Sequence, residues 1–170
     1  MAVESKTKPF VKGFKYRIYP TEEQKVLFDK TFGCCRYVYN RALAEHKQAY
    51  EDWEKTKDQI IRPAKPDSSG YTFVKKLPTY KADPTRTWLT EVSAMTLQQA
   101  MFHLCEAFKR FLKLRKGFPS FKKKSGHQSF SVMKPEIRSK EDGIYLAKCK
   151  QPLKIIFSRP LPSQPSSATV

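Results

Sequence analysis

An α+β fold, in which a β-barrel or sheet is interrupted by a helical, helix-turn-helix-like insertion, is predicted by three observations. Residues 8–20 alternate apolar and basic side chains. Residues 21–57 and 88–116 carry apolar stripes at helical spacing. Residues 126–170 break into short strand-like runs separated by turn residues. A chain that opens on one strand, turns helical and ends on several strands is expected to bring its first strand back to those after residue 128.

The first element is read from KPFVKGFKYRIY. Phe14, Tyr16 and Ile18 share one face, and Lys15, Arg17 and Tyr19 the other. That pattern gives a strand with one buried side and one basic, wet side. Pro20 ends it, because proline has no N–H to continue a ladder.

Thr21 then serves as an N-cap, and Gln24 stands where a capping-box partner reaches back. Glu22 and Glu23 suit the positive end of the helix dipole. Val26, Leu27, Phe28 and Phe32 supply an apolar stripe, and Gly33 is expected to interrupt it. A second helical pattern follows, with Val38, Ala42, Ala49 and Trp53 recurring beside Cys35, Tyr39 and Leu43. Helix, short break and helix make a helix-turn-helix-like unit over 21–57. Its second helix opens on GCCRYVYNRAL, with small residues at the turn and Arg36, Asn40 and Arg41 on the polar side.

Residues 54–87 lose the periodicity. RPAKPDSSGY and KADPTRT are rich in turn formers, so a loop or short irregular helical insert is expected. The longest periodic segment, 88–116, follows, with Leu89, Val92, Thr96, Ala100, Leu104, Ala107, Phe111 and Leu114 on one stripe. Gly117 is placed as its C-cap, and Pro119 blocks continuation. Beyond residue 128, SFSV, GIYLAKC, LKIIFS and SATV read as strands. No internal repeat is visible.

The 170 residues hold 33 Lys and Arg against 16 Asp and Glu, a net charge of +17. An excess of that size implies a polyanionic partner, nucleic acid first and an acidic membrane surface second. No apolar run approaches the roughly 18 residues of a membrane span. The start carries no secretory h-region. A cytoplasmic, prokaryotic, nucleoid-associated protein without a membrane partner is therefore expected. Its cysteines, Cys34, Cys35, Cys105 and Cys149, show no C-x-x-C pair or zinc spacing, and adjacent helical side chains diverge by about 100°. They are read as packing residues, with no metal.

No catalytic centre emerges. Glu22 and Glu23 are dipole partners, Glu51, Asp52 and Glu54 a solvated face, and Glu141–Asp142 a turn. His46, His103 and His127 are scattered, and no phosphate-cradling glycine loop occurs. The binding signal is stronger. From 108 to 124, Phe108, Phe111, Phe118 and Phe121 interleave with Lys109, Arg110, Lys113, Arg115, Lys116, Lys122, Lys123 and Lys124. The cations suit phosphate neutralisation. Phe108 and Phe111 are assigned to the core, and Phe118 and Phe121 either to base stacking or to anchoring the loop.

Four blocks in order, YRIYPTEEQ, GCCRYVYN, WLTEVSAMTLQQAMFHLCEAFKRFLK and KGFPSFKKK, resemble the amino-terminal half of the OrfB/TnpB proteins of insertion sequences, over about residues 10–170. These proteins are described as transposases and are similar to compact ancestors of type V CRISPR nucleases. The resemblance implies a wedge-like β-barrel formed by strand 8–20 with residues 126–170. It also implies a helical recognition insertion over 21–125, with a helix-turn-helix at 21–57 and a long helix at 88–116. Such a unit binds guide RNA and helps read double-stranded DNA flanking the target, in the service of transposition. The family's divalent metal and zinc belong to a RuvC-like nuclease domain and a zinc ribbon, which are expected after residue 170. No cofactor is expected within residues 1–170, and a separately encoded nuclease half is a possible partner. On this reading the chain is a truncated or partial member.

The resemblance also implies roles. Tyr37 and Asn40 match the YVYN-type signature, the aromatic in packing and Asn40 in a cap or phosphate contact. Gln98 matches a polar position facing the flanking DNA, where a glutamine can bond an adenine edge. Met95 makes an apolar contact beside it, and Tyr71 approaches the same groove. Lys122 to Lys124 match the family's basic loop. Lys12, Lys15, Arg17, Arg36 and Arg41 complete the candidate nucleic-acid contacts. Two other readings compete: an autonomous helix-turn-helix regulator without nuclease activity, and a generic RNA-binding basic protein. The second explains the charge but not the four ordered blocks.

Overall fold

A computed structural model describes residues 12–140 and 143–170. The start of the expected first strand, 8–11, and the Glu141–Asp142 turn lie outside the described residues. The elements are β1 (Arg17–Tyr19), α1 (Glu22–Glu54), α2 (Gly70–Val74), α3 (Leu77–Ala82), a 3-10 turn (Pro84–Thr90), α4 (Ala94–Leu114), β2 (Ser131–Met133), β3 (Arg138–Lys140), β4 (Gly143–Tyr145), β5 (Lys154–Ile156) and β6 (Ser167–Thr169). The molecule is α+β.

Burial alternates from Gly13 to Tyr19 as the sequence predicts, with Phe14, Tyr16 and Ile18 partly covered and Lys15, Arg17 and Tyr19 exposed. Regular pairing, however, is confined to β1. It runs antiparallel to β5 with Ile18 opposite Ile155, so the first strand does return to the late ones. The capping box is formed: Gln24 N–H donates to Thr21 Oγ1 at 3.3 Å, and Thr21 N–H donates to Gln24 Oε1 at 3.0 Å. Gln24 Nε2 also donates to the carbonyls of Gln151 and Pro152, at 3.1 and 3.3 Å, tying the start of α1 to the chain leading into β5.

The break expected at Phe32–Gly33 does not occur. α1 is one helix of 33 residues. Its buried positions, Phe28, Thr31, Cys34, Cys35, Val38, Ala42 and His46, keep helical phase straight through Gly33. A single glycine costs a helix only about 1 kcal/mol, which a continuous buried stripe outweighs. The second helix is also corrected. Pro84 and the Asp83 side chain, which accepts from Thr85 N–H at 2.9 Å, wind residues 84–90 into a 3-10 turn. α4 starts only after Ser93, whose Oγ accepts from Thr96 N–H. At its other end Arg115, at φ 49°, takes the left-handed cap conformation expected for Gly117.

The late strands form three separate antiparallel pairs, β1 with β5, β2 with β6 and β3 with β4. One bridge, Ile144 to Leu153, joins the β3–β4 pair to the chain entering β5. No closed barrel exists among the described residues. Three-residue strands leave the ladders too short to meet round a ring. Helices and strands share a core: Phe28 and Phe32 of α1 stand 5.6 and 5.1 Å from Phe130, ring to ring. All four cysteines are buried and free. Burial pushes the Cys34 thiol up to about 11, helped by Glu91, and the Cys35 thiol up to about 12.

His46 sits in the core between Phe73 and Phe108, at 5.5 and 4.5 Å ring to ring. Burial first, then Lys76 and Lys65, lowers its pKa against the opposing pull of Asp67. The folded state therefore resists a proton that the unfolded chain takes up at about pH 6.5. Stability from this site is complete above that pH and is lost as pH falls below it. Thermal unfolding of the parent is expected to drop between pH 7 and 5, and His46→Leu is expected to flatten part of that drop. The rest belongs to groups such as His103, lowered in the same direction by burial, Lys122 and Arg110.

Candidate nucleic-acid interface

α4 carries its cations where its apolar stripe runs out. Lys109 is paired with Glu106 at 2.6 Å. Beyond it, among the described residues, no carboxylate lies within 4.0 Å of Arg110, Lys113, Arg115, Lys116, Lys122, Lys123 or Lys124. All seven are exposed. The chain turns back at Phe118, whose ring meets Phe108 and Phe111 edge-on at 5.6 and 5.3 Å. Phe118 is thus a loop anchor. Phe111 is half-buried, and Leu114, placed on the buried stripe by its spacing, is 62% exposed.

The lysine loop is then fixed to α1 at two points. Asn40 Oδ1 accepts from the main-chain N–H of Lys122 at 2.8 Å, and Asn40 Nδ2 donates to the carbonyl of Lys122 at 2.9 Å. Four residues earlier on α1, Arg36 Nη1 donates to Gln128 Oε1 at 2.6 Å. Gln128 Nε2 donates in turn to the Lys124 carbonyl at 3.2 Å. The Lys122 ammonium lies 4.9 Å from the centre of the Tyr39 ring. Asn40 and Arg36 therefore act on the loop's backbone and present its side chains. The sequence offers no sign of this, because the partners are 82 and 92 positions apart.

Asn40→Ala is expected to free the loop while leaving every charge in place. The Lys122 N–H would lose its partner, at a cost of about 1–2 kcal/mol. Faster trypsin cleavage at Lys122–Lys124 and weaker oligonucleotide binding with an unchanged salt slope are the expected readouts. Cleavage and affinity equal to the parent's would contradict the clamp.

The remaining candidates fall into other places. Arg41 Nε donates to Glu45 at 2.6 Å. Glu45 also accepts from Lys76 at 2.9 Å and from the Tyr80 hydroxyl at 2.7 Å. Burial works to raise the Glu45 pKa, but the hydrogen bonds from Tyr80, Lys76 and Arg41 outweigh it and hold the carboxyl below its usual range. Met95 and Gln98 are half-buried on the first turns of α4, and the Gln98 amide has no hydrogen-bond partner among the described residues. Tyr71 is 68% exposed on α2, with the Lys75 ammonium 4.2 Å from its ring centre. α2 packs on α4 at Phe102, one turn beyond Gln98. A Cβ on Gly70 would come within 2.5 Å of the Phe102 ring, so a larger residue there would have to displace that ring. Lys12, Lys15 and Arg17 lie exposed on or before β1, whose partner is β5, and no hydrogen bond among the described residues links them to the lysine loop.

Among the described residues, no three His, Cys, Asp or Glu side chains come together as a metal ion would need. No described helix is long and apolar enough to cross a membrane.

Residues 11–55 match the family model of the OrfB IS605 helix-turn-helix domain, over the span that here forms β1 and the single helix α1. A Streptomyces pristinaespiralis protein provisionally named an RNA-guided DNA endonuclease is 34% identical over 162 residues, which cover 94% of this chain and 38% of that protein. InsQ of Escherichia coli K12, provisionally named in the same way, is 30% identical over 120 residues, covering 71% of this chain and 27% of InsQ. The virulence protein VsdF of Salmonella dublin is 33% identical over 114 residues, covering 66% of this chain and 92% of VsdF. The chain thus spans well under half the length of the first two relatives.

Proposed function

The chain belongs to the OrfB/TnpB family, corresponding to its amino-terminal region, and from that premise we propose that it is the nucleic-acid-binding part of an RNA-guided DNA endonuclease system. In this reading the lysine loop and the end of α4 hold the phosphates of a guide RNA. Gln98, Met95 and Tyr71 face the double-stranded DNA that flanks the target. The observation that carries the reading is the clamped loop: three adjacent lysines without carboxylate partners, held in one place by a bidentate asparagine. A flexible lysine tail would bind phosphate too, but without a fixed direction. The free amide of Gln98 supports the duplex contact, since a glutamine with no internal partner is available to an adenine edge. The domain limits 8–20, 21–125 and 126–170 remain part of this proposal.

An autonomous regulator is the competing reading, favoured by the description of the matched family model. It needs a recognition helix set across a turn from the first, and α1 runs on where the sequence predicts that turn. A mobility-shift series separates the two. Purified chain, stripped of nucleic acid, is offered duplex DNA of varied sequence with and without structured RNA from its own transcript. RNA binding in the nanomolar range, with sequence preference for duplex appearing only when RNA is present, is expected. Sequence-specific duplex binding without RNA would select the regulator, and no binding to either would overturn both.

A further inference from the structure

Gly33, Tyr37 and Trp88 line an open groove of about 750 Å³ between α1 and the 3-10 turn. That falls within the range of about 300–1,000 Å³ over which proteins hold small ligands. Three features fit one kind of occupant. First, Tyr37 and Trp88 are both half-buried, and their rings meet at 5.0 Å and 76°, making an aromatic corner, with the Arg86 guanidinium 5.6 Å from the Tyr37 ring centre. Second, the rim is cationic. Arg36 spends one Nη on the neutral Gln128, and Arg41 spends only Nε on Glu45, so both guanidinium groups keep N–H donors free. Lys30 and Glu91 pair across one side at 2.5 Å and cancel. Third, glycine in a helix interior is unfavourable relative to other residues, and no contact in the fold demands one at position 33. A Cβ there would meet nothing within 4 Å. What the missing side chain leaves is depth in the groove.

We propose that this groove takes one unpaired base of a nucleic-acid strand, stacked in the corner of Tyr37 and Trp88, with Arg36 and Arg41 on the flanking phosphates. A duplex offers no free base face, so the strand must be single or locally unpaired. An acidic peptide would satisfy the arginines but would leave the aromatic corner without a flat partner. The inference rests on the reading of this molecule as a nucleic-acid binder, and its test separates the two.

The test uses the full chain and four 12-mers: oligo-dT, oligo-U, an abasic tetrahydrofuran strand of equal charge, and that abasic strand with one thymine restored. Across the three DNA strands the phosphates are constant and only the bases vary, while oligo-U also changes the sugar. The parent is expected to bind the one-base strand about tenfold more tightly than the fully abasic one, in line with the stacking of a single base. Its Trp fluorescence should be quenched only by strands that carry bases. Gly33→Leu fills the groove, favours the helix and touches no charge. It is expected to keep the parent's affinity for the abasic strand and to lose the tenfold increment. Trp88→Leu should do the same, but Trp88 also borders the core, so Gly33→Leu decides. A larger gain on oligo-U or on oligo-dT assigns the base to RNA or to DNA. Equal binding of abasic and base-bearing strands by the parent, or an increment that survives in Gly33→Leu, overturns the groove and leaves phosphate binding standing. Failure to bind any strand overturns both.

Discussion

Phe108→Ala is expected to destabilise the protein by about 3–5 kcal/mol, the range for a large aromatic removed from a packed site. Phe108 is 3% exposed and stands where three elements meet. Its ring is 4.5 Å from His46 on α1, 5.8 Å from Phe73 on α2 and 5.6 Å from Phe118 on the returning loop. Removing it opens a cavity that the helices, fixed elsewhere by Leu43, Leu97 and Leu104, cannot close. For a domain of ordinary stability, about 5–15 kcal/mol, that is about a fifth of the total or more. Urea denaturation followed by circular dichroism measures it. A loss under about 1 kcal/mol would mean that α1, α2 and α4 are not packed as described. Binding should also weaken in this variant at temperatures where it stays folded, because Phe118 loses the seat that starts the lysine loop on its path.

Replacing Lys122, Lys123 and Lys124 together with alanine is the second large effect, and it should leave the fold alone. Asn40 holds Lys122 through the main-chain N–H and carbonyl, which alanine keeps. Within the protein, the substitution takes away the Lys122 ammonium from over the Tyr39 ring. Three phosphate contacts fewer should reduce the slope of log K against log salt by about 2.7 on duplex DNA and about 2.1 on a single strand. The affinity loss then amounts to about two to three orders of magnitude at about 0.1 M salt and fades towards 1 M. A loss that stays constant with salt would point instead to recognition of shape. No loss at all would remove these lysines from the interface. Comparison with Asn40→Ala is informative: one variant lacks the charges and keeps the loop, the other does the reverse.

Much of the local structure is legible in the sequence because its causes are local. The capping box at Thr21 and Gln24 needs only residues three apart. The alternation around Tyr16 and the α4 stripe around Leu104 follow from periodicity alone, and β2, β4, β5 and β6 fall on runs that read as strands. β3, Arg138–Lys140, escapes such a reading because RSK has no apolar member to mark a face. Gly33 misleads because its weak local preference is set against a buried stripe whose partners lie in Phe130 and Thr96, far along the chain. The start of α4 shifts for the opposite reason. Leu89 and Val92 do lie in the core, but the Ser93 cap and the 3-10 turn decide where the helix begins. The site divides in the same way. Its cations can be counted from the sequence. Their presentation by Asn40 and Arg36, and the corner of Tyr37 and Trp88, depend on contacts over fifty or more positions, which spacing does not report.

The proposed phosphate binding rests on exposed, uncompensated cations. Seven of them, Arg110, Lys113, Arg115, Lys116, Lys122, Lys123 and Lys124, are exposed and without carboxylate partners among the described residues. The direct measurement is the dissociation constant of the unmodified chain for a duplex of about 20 base pairs and for a structured RNA, titrated from about 50 to about 400 mM salt. A log–log slope of about −6 on the duplex is predicted, as seven neutralised phosphates require. A slope shallower than about −1, with affinity nearly independent of salt, would contradict it.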